Sequence, residues 1–470
     1  MATTLATHQA TEKVPPPKAA PSNCEPSIVA VIGAGYVGLQ LALEFGSHYE
    51  VLAFDISLSR IKELGSKFKS HPRITPTSDP KRLTKATHFL ISVPTLVLPD
   101  KNIDTSALAG AITAVARYSK PGCTVVVESS VSVGMTRALL SPLIHSHSLK
   151  GGMSPELINA PSKRVDPGRT SPAYTEIPKI ISGLDDIAPG SLESISQLYS
   201  KVFPLLVPVS SPEVAEMTKL YENCQRMVGI AYANELADAC HELNICPYEV
   251  SQAAATKPFG YMPFTPSLGV GGHCIPVNPY YLFASMSQSN SSCDDKNEKA
   301  DHDLGGPAAK GLSFPILRLA TDRMRQRPAA IGDRLMASVM KSPEWRSAAL
   351  SRGVGSGSGS GNLKPRVLVV GIAFKAGQGV LSNSPGLLLM NHLHCQWYAD
   401  LRFADPLVKQ EAVPGGFKKL DESREWNRKH LSSSFDIIVV AMKQLGLDFS
   451  VLDQVKKLRG NKTWVQYCCQ

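Results

Sequence analysis

The chain contains no CxxC pair, no apolar run of 18 residues and no dense block of basic residues. The first absence removes the usual support for a structural zinc site. The second makes a membrane span unexpected. The third leaves no nucleic-acid footprint, although 49 Lys and Arg against 40 Asp and Glu give a net charge of +9. Ten irregularly spaced cysteines in 470 residues, with Cys468 and Cys469 adjacent, do not make a small disulfide scaffold. The first 26 residues are polar and Pro-rich and lack the apolar centre of a secretory signal. They read as a disordered lead, and a reducing, cytoplasmic location is the expectation. What remains is a chain with 43% apolar residues, longer than one hydrophobic core usually serves, so two or more domains are expected.

Order begins at Ser27. The apolar run Ile28–Ile32 predicts a strand and meets Gly33-Ala34-Gly35-Tyr36-Val37-Gly38, after which Leu39, Leu41, Ala42 and Phe45 carry a helical pattern. A second strand, Glu50–Phe54, ends at Asp55. Strand, glycine turn, helix, strand and acid in this register predict a dinucleotide site. Gly33 allows the tight turn, Gly35 lets a pyrophosphate approach the backbone, and Gly38 lets the helix pack closely on the strand. The helix N-terminus offers free N–H groups to phosphate. Asp55 suits a ribose diol and would repel a 2′-phosphate, which favours NAD over NADP. Further strands are expected at His88–Val93, Thr124–Glu128, 177–183 and 203–209, with a helix at 104–118. This alternation predicts a parallel sheet covered by helices on both faces.

From about Pro212 to Leu243 apolar residues including Val214, Met217, Leu220, Met227 and Leu236 recur near every 3.6 positions. They predict a long helix with one buried face. Residues 285–313, rich in Ser, Asn, Asp, Lys and Gly, read as a flexible insertion. A helix resumes near Pro315 and runs toward Met340. The alternating Gly/Ser run at 353–361 reads as a linker. Strands at Arg366–Gly371 and 436–441 open a second α/β unit. The fold class expected is therefore α/β, with two Rossmann-like domains joined by a long central helix and a helical middle domain. The units are 27–211, 212–345 and 363–470, with a linker at 346–362.

Residues 269–282 read Gly-Val-Gly-Gly-His-Cys-Ile-Pro-Val-Asn-Pro-Tyr-Tyr-Leu. Cys274 stands in a glycine-rich loop ahead of a helix, where a thiol is reachable and neighbouring N–H groups or cations can favour the thiolate. Together with Ile91–Thr95, Glu128–Val131, Ser154-Pro155-Glu156, Glu216–Leu220 with Asn223, Asn234-Glu235 and Gly371–Lys375, this motif resembles the UDP-glucose/GDP-mannose dehydrogenase family. The GGHCIPV…PYYL form is most similar to its UDP-N-acetylhexosamine 6-dehydrogenase branch. The resemblance spans about 28–285 and 315–445.

It implies a four-electron oxidation of a nucleotide-sugar C6 alcohol to the acid with two NAD+, passing through a thiohemiacetal and a thioester on Cys274. Lys219 is implied as the cation for the developing oxyanion, and Asn223, one helical turn on, as a second donor. Glu156 is implied as a base or water-orienting group and Ser130 as a hydroxyl relay. Pro94 and Thr95 join Gly33, Gly35, Tyr36, Val37, Gly38 and Asp55 around the cofactor. Lys375, Phe374, Gly271 and Arg318 are the implied substrate contacts. No metal is implied, and a homodimer through the central helix is.

Several positions depart from the family pattern, among them Ser130, where threonine is usual. Asn278 replaces an aspartate and keeps a hydrogen-bonding oxygen but cannot take a proton. Leu157 and Ser382 stand where arginines are usual. Two functions follow: an active nucleotide-sugar dehydrogenase, or a diverged relative that binds NAD or a nucleotide sugar and acts through protein contacts.

Overall fold

The structure is a computed structural model that describes residues 28–98, 100–155, 174–288, 314–343, 345–347, 364–457 and 463–469. The first sheet grows from β1 (Ile28–Ile32), whose side chains divide between two cores. Val29 and Val31 face one and Ala30 and Ile32 the other. This two-sided burial explains a continuous apolar run where a half-buried strand would alternate. α1 (Tyr36–Gly46) returns over the sheet to β2 (Glu50–Phe54), and α2 (Leu58–Lys67), capped by the Ser57 hydroxyl, leads to β3 (Ile74–Thr77). β4 (His88–Ile91) follows, then a two-stranded hairpin of β5 (Leu96–Val97) and β6 (Ile103–Asp104). α3 (Ser106–Tyr118), β7 (Thr124–Val127), α4 (Met135–His147), β8 (Lys150–Met153), β9 (Lys179–Gly183), α5 (Ser191–Tyr199) and β10 (Leu206–Pro208) complete the unit.

The strand order is β10-β9-β8-β7-β4-β1-β2-β3. The six strands from β8 to β3 are parallel, but β9 runs antiparallel to β8, so the expected all-parallel sheet is corrected at this edge. The 203–209 strand shrinks to Leu206–Pro208, because the Phe203 N–H is still engaged by the Tyr199 carbonyl at the end of α5. The helix expected from 104 starts at Ser106, since Asp104 pairs in β6 and its carboxylate accepts the Ser106 N–H. A buried ion pair ties the antiparallel edge to the parallel body. Lys179 Nζ lies 2.7 Å from Glu128 Oε2, and the Tyr199 hydroxyl donates to the same carboxylate.

α6 (Pro212–Glu242) starts with proline in its first turn and a Ser211 cap, both favourable at an N-terminus. It is followed by α7 (Pro247–Ala254), α8 (Asn278–Gln288) and α9 (Pro315–Lys341). The buried face of α6 holds only part of the apolar series expected: Leu220, Cys224, Met227, Ala231 and Ala237 are buried. Val214, Met217 and Leu236 are exposed, whereas Glu216, Lys219, Asn223 and Asn234 are buried beside Leu220 and Met227. α8 also reaches into the expected insertion, taking 285–288; residues 289–313 and the Gly/Ser run at 353–361 lie outside the described residues.

The second sheet comprises β11 (Arg366–Val370), β12 (Asp400–Ala404), β13 (Lys418–Lys419), β14 (Ile437–Val440) and β15 (Trp464–Tyr467), all parallel, in the order β13-β12-β11-β14-β15. α10 (Pro385–Trp397) crosses from β11 to β12 and packs on α9 through Leu389 and Leu393 beside Gly332. The architecture is therefore α/β, with two Rossmann-like sheets and long helices between them. Both sheets end their second strand in an aspartate. Asp405 is fully buried and accepts from the N–H groups of Ala373 and Leu407 and from the Gln444 amide.

At the amino ends of the first sheet's strands, His88 is held between the hydroxyls of Thr87 and Ser194. Burial, helped by the Lys150 charge, pushes its pKa from 6.5 down to about 4. Between those values the unfolded chain binds a proton that the folded one refuses, so this contribution to stability is complete above pH 6.5 and is lost as pH falls toward 4. His88→Gln is expected to flatten the pH dependence of the urea midpoint across that window; a slope equal to that of the parent protein would disprove the assignment.

Candidate active site

The order of the first sheet reverses beside β1: β2 and β3 extend one way and β4 lies on the other side. Such a switch point leaves a crevice at the carboxyl ends of the strands, where nucleotides bind in open α/β sheets. The glycine turn occupies it. Gly33 has φ +90°, and a Cβ there would meet Val93 at 2.9 Å and the Ser92 carbonyl at 3.0 Å. At Gly38 a Cβ would lie 1.8 Å from the Gly33 carbonyl oxygen, so helix and turn touch as the motif requires. In front of Gly35 there is open space, with no atom within 4 Å of an added Cβ. These three environments fit a cofactor pyrophosphate laid against the turn and the N-terminus of α1.

Asp55 accepts the Ala34 N–H at 3.0 Å and the Ser57 N–H at 2.9 Å, which fixes its half-buried carboxylate at the crevice edge. Tyr36 is exposed on the first turn of α1, while Val37 packs into the core. Arg60 was not among the residues expected. Its Nε donates to the Ala34 carbonyl at 2.8 Å, which places a guanidinium on the glycine turn. Its only sequence signal is its position on the helix that follows Asp55.

On the other side of the crevice, Pro94 and Thr95 follow β4. The Thr95 hydroxyl donates to the Ser130 carbonyl at 2.9 Å, joining the loops after β4 and β7. The structure thus brings Thr95 and Ser130 together. Glu156 lies outside the described residues.

The Cys274 loop is built between the central helices and the second sheet. The Cys274 carbonyl accepts the Val277 and Asn278 N–H groups at 3.0 and 2.8 Å, starting the turn that becomes α8. Four residues on, the Asn278 side chain meets α6, where Asn223 Nδ2 donates to Asn278 Oδ1 at 2.5 Å. Both amides are buried, and Asn223 Oδ1 and Asn278 Nδ2 have no hydrogen-bond partner among the described residues. One turn before Asn223, Lys219 is 2% exposed with its Nζ 3.5 Å from Glu222. An ammonium on a long helix is usually solvated; this one is withdrawn from water on the face that meets the Cys274 loop. Cys274 itself is half-buried.

The second sheet grips the loop from the far side. Gly272, at φ +95°, donates its N–H to the Ser382 carbonyl at 2.8 Å, and its own carbonyl accepts the Asn383 amide at 2.9 Å. Ser382 Oγ lies 3.1 Å from His273 Nε2, and burial lowers the His273 pKa. Phe374 packs against Gly271 and Gly272, where a Cβ would come within 2.7 and 2.9 Å of it. Lys375, next to Phe374, is half-buried with its pKa lowered by burial. Ser382, notable in the sequence only for replacing an arginine, thus holds the loop by its backbone and hydroxyl. Arg318 stacks its guanidinium over Phe283 at 4.4 Å, farther along α8.

Known proteins resemble this chain in sequence and fold. The family model for the NAD binding domain of the UDP-glucose/GDP-mannose dehydrogenase family covers residues 67–203, and the model for its central domain covers 213–295. An NDP-N-acetyl-D-galactosaminuronic acid dehydrogenase of Ralstonia solanacearum is 30% identical over 64% of this chain and 78% of that protein. A UDP-N-acetyl-D-glucosamine 6-dehydrogenase of Pseudomonas aeruginosa is 36% identical over 54% of the chain, and the match spans 62% of that relative's length. The solved structure of a UDP-D-ManNAc dehydrogenase from Pyrococcus horikoshii shares the fold, with a TM-score of 0.68, 24% identity and coverage of 94% of this chain and 95% of that one. The chain belongs to the UDP-glucose/GDP-mannose dehydrogenase family.

Removing the guanidinium with Arg60→Ala is expected to weaken NAD+ binding about ten- to hundredfold, the range for a hydrogen bond to a charged group. Asp55→Asn is expected to narrow the preference for NAD+ over NADP+. Calorimetric titration of both cofactors checks the two together, and unchanged affinities would remove Arg60 from the site.

Proposed function

We propose that the chain is an NAD-dependent nucleotide-sugar 6-dehydrogenase that oxidises the C6 alcohol of a UDP-N-acetylhexosamine or UDP-glucose to the uronate. One observation carries the reading: the desolvated Lys219 and Asn223 lie on the face of α6 that meets Asn278, four residues after Cys274. A cation and an amide withdrawn from water beside a reachable thiol suit a carbonyl that gains negative charge.

In this reading Gly33, Gly35, Tyr36, Val37, Gly38, Asp55, Pro94 and Thr95 hold the cofactor, with Asp55 at the ribose. When bound, NAD+ accepts the C6 hydride in each of the two oxidation steps. Cys274 adds to the aldehyde left by the first, and the thiohemiacetal retains the carbon until it becomes a thioester. Lys219 and Asn223 stabilise the oxyanion. Ser130, with Glu156, orients the water that cleaves the thioester and returns the free thiol. Gly271, Phe374, Lys375 and Arg318 are assigned to the nucleotide sugar. Asn278 cannot serve as a base, so it contributes hydrogen bonding alone. That limit is what favours the second reading, a non-catalytic binder.

We also propose that a second copy of the chain covers the outer face of α6. There Met217, Tyr221, Tyr232, Leu236, Phe264 and Ile316 line an apolar groove of about 1080 Å³. Light scattering is expected to give twice the 50.6 kDa chain mass, and Tyr221→Asp to shift it toward one chain; a monomer in the parent protein refutes the pairing.

The activity is tested by following absorbance at 340 nm with NAD+ and UDP-glucose, UDP-N-acetylglucosamine, UDP-N-acetylgalactosamine, UDP-N-acetylmannosamine or GDP-mannose. Two NADH per sugar on one substrate, and none with Cys274→Ala, are expected. Folded protein that binds NAD+ yet leaves every sugar untouched would favour the non-catalytic reading.

A further inference from the structure

Tyr281, seven residues beyond Cys274 on the first turn of α8, is 1% exposed. Its hydroxyl lies 2.6 Å from Thr95 Oγ1 and 3.0 Å from the Thr95 carbonyl oxygen. The direction of the first bond is fixed, because the single proton on Thr95 Oγ1 is given to the Ser130 carbonyl. Tyr281 therefore donates, and an oriented chain runs from Tyr281 through Thr95 to Ser130. It leaves the helix that begins at the nucleophile loop and ends on the two loops at the switch point of the first sheet. Burial pushes the Tyr281 pKa up to about 12, with the Thr95 bond opposing and the nearby Cys274 sulfur adding to the rise, so the phenol keeps its proton.

Two further ties accompany it. Ser285 Oγ donates to the Tyr281 carbonyl and accepts the Val133 N–H at 2.9 Å. From α6, the Glu216 carboxylate accepts the N–H groups of Gly134 and Thr136 at 2.6 and 2.8 Å. The segment after β7 is thus fastened to the central helices where it turns into α4. Of these ties, only the Tyr281 hydroxyl reaches Thr95, and through the Thr95 hydroxyl it is linked to Ser130.

We propose that Tyr281 is a positioning residue for the oxidation: it fixes Thr95 and Ser130 relative to Cys274, so that the cofactor side and the thiol side of the cleft keep one geometry. The proposal rests on the dehydrogenase reading above. Its physical basis is that C6 must face the hydride acceptor in one step and stay bonded to sulfur in the next. A misplacement of about 1 Å in such a site can cost on the order of 100-fold in rate. Phenylalanine would fill the same volume, so the buried hydroxyl is what the position specifically supplies.

The experiment compares full-length Tyr281→Phe, Thr95→Val and the double variant on whichever nucleotide sugar the parent protein oxidises. Tyr280→Phe, which removes the adjacent hydroxyl, is the control. Each single change is expected to lower kcat about tenfold while KM for the sugar stays within about twofold. The double variant should be no slower than the slower single, since both break one chain. Tyr280→Phe should leave kcat unchanged. A normal kcat for Tyr281→Phe, with or without a lower melting temperature, overturns the proposal, as do losses that multiply in the double variant. Should the parent protein oxidise no sugar, the dehydrogenase reading fails separately, and NAD+ affinity becomes the readout. Equal, non-additive weakening by Tyr281→Phe and Thr95→Val then supports the chain, and unchanged affinity overturns it.

Discussion

A stripe of polar side chains buried along one helix organises this molecule. Glu216, Lys219, Asn223 and Asn234 succeed one another down the inner face of α6, and each is withdrawn from water. Desolvating such groups is costly unless partners are supplied, and the partners come from α4, α6 itself, α8 and the loop before Cys274. Glu216 takes the first N–H groups of α4, Lys219 faces Glu222, Asn223 reaches Asn278, and Asn234 accepts the Ser267 N–H ahead of the Cys274 loop. Arg327 of α9, itself paired with Asp238, donates to the Ser267 carbonyl, so that residue is held from both sides. The first sheet, the thiol loop and α9 are thereby registered against one helix.

This stripe explains why the periodicity of α6 identifies the buried face only in part. Its apolar residues divide between two faces, and the outer one, with Met217, Tyr221 and Leu236, is left for another surface. Sequence periodicity records that a helix is amphipathic; it does not say which side meets the core when that core is lined by polar side chains. The β1–turn–β2 segment was legible because its logic is local: glycine conformation, helix start and Asp55 lie within one supersecondary unit. The Cys274 loop was legible as a motif, and the match with Lys219 and Asn223 placed it in a family.

What stayed hidden depends on contacts between distant residues. Tyr281 meets Thr95 across 186 positions, and Asn383 meets Gly272 across 111. No pattern within either segment announces such bonds. Ser382 shows the same limit from another direction: the sequence registers a missing arginine, and only the fold reveals that its carbonyl and hydroxyl are used on Gly272 and His273. The reversal of β9 was hidden too, since an isolated strand carries no sign of its direction.

The two sheets repeat one device and then set it differently. In each, an aspartate after the second strand accepts an N–H from the turn after the first strand and another from two residues downstream. Asp55 stays half-exposed, whereas Asp405 is sealed beneath the Gln444 amide. With Asp405 engaged by Gln444, the second sheet does not present at this position the accessible carboxylate that Asp55 presents beside its glycine turn, so two strand ends alike in sequence are unlike as surfaces.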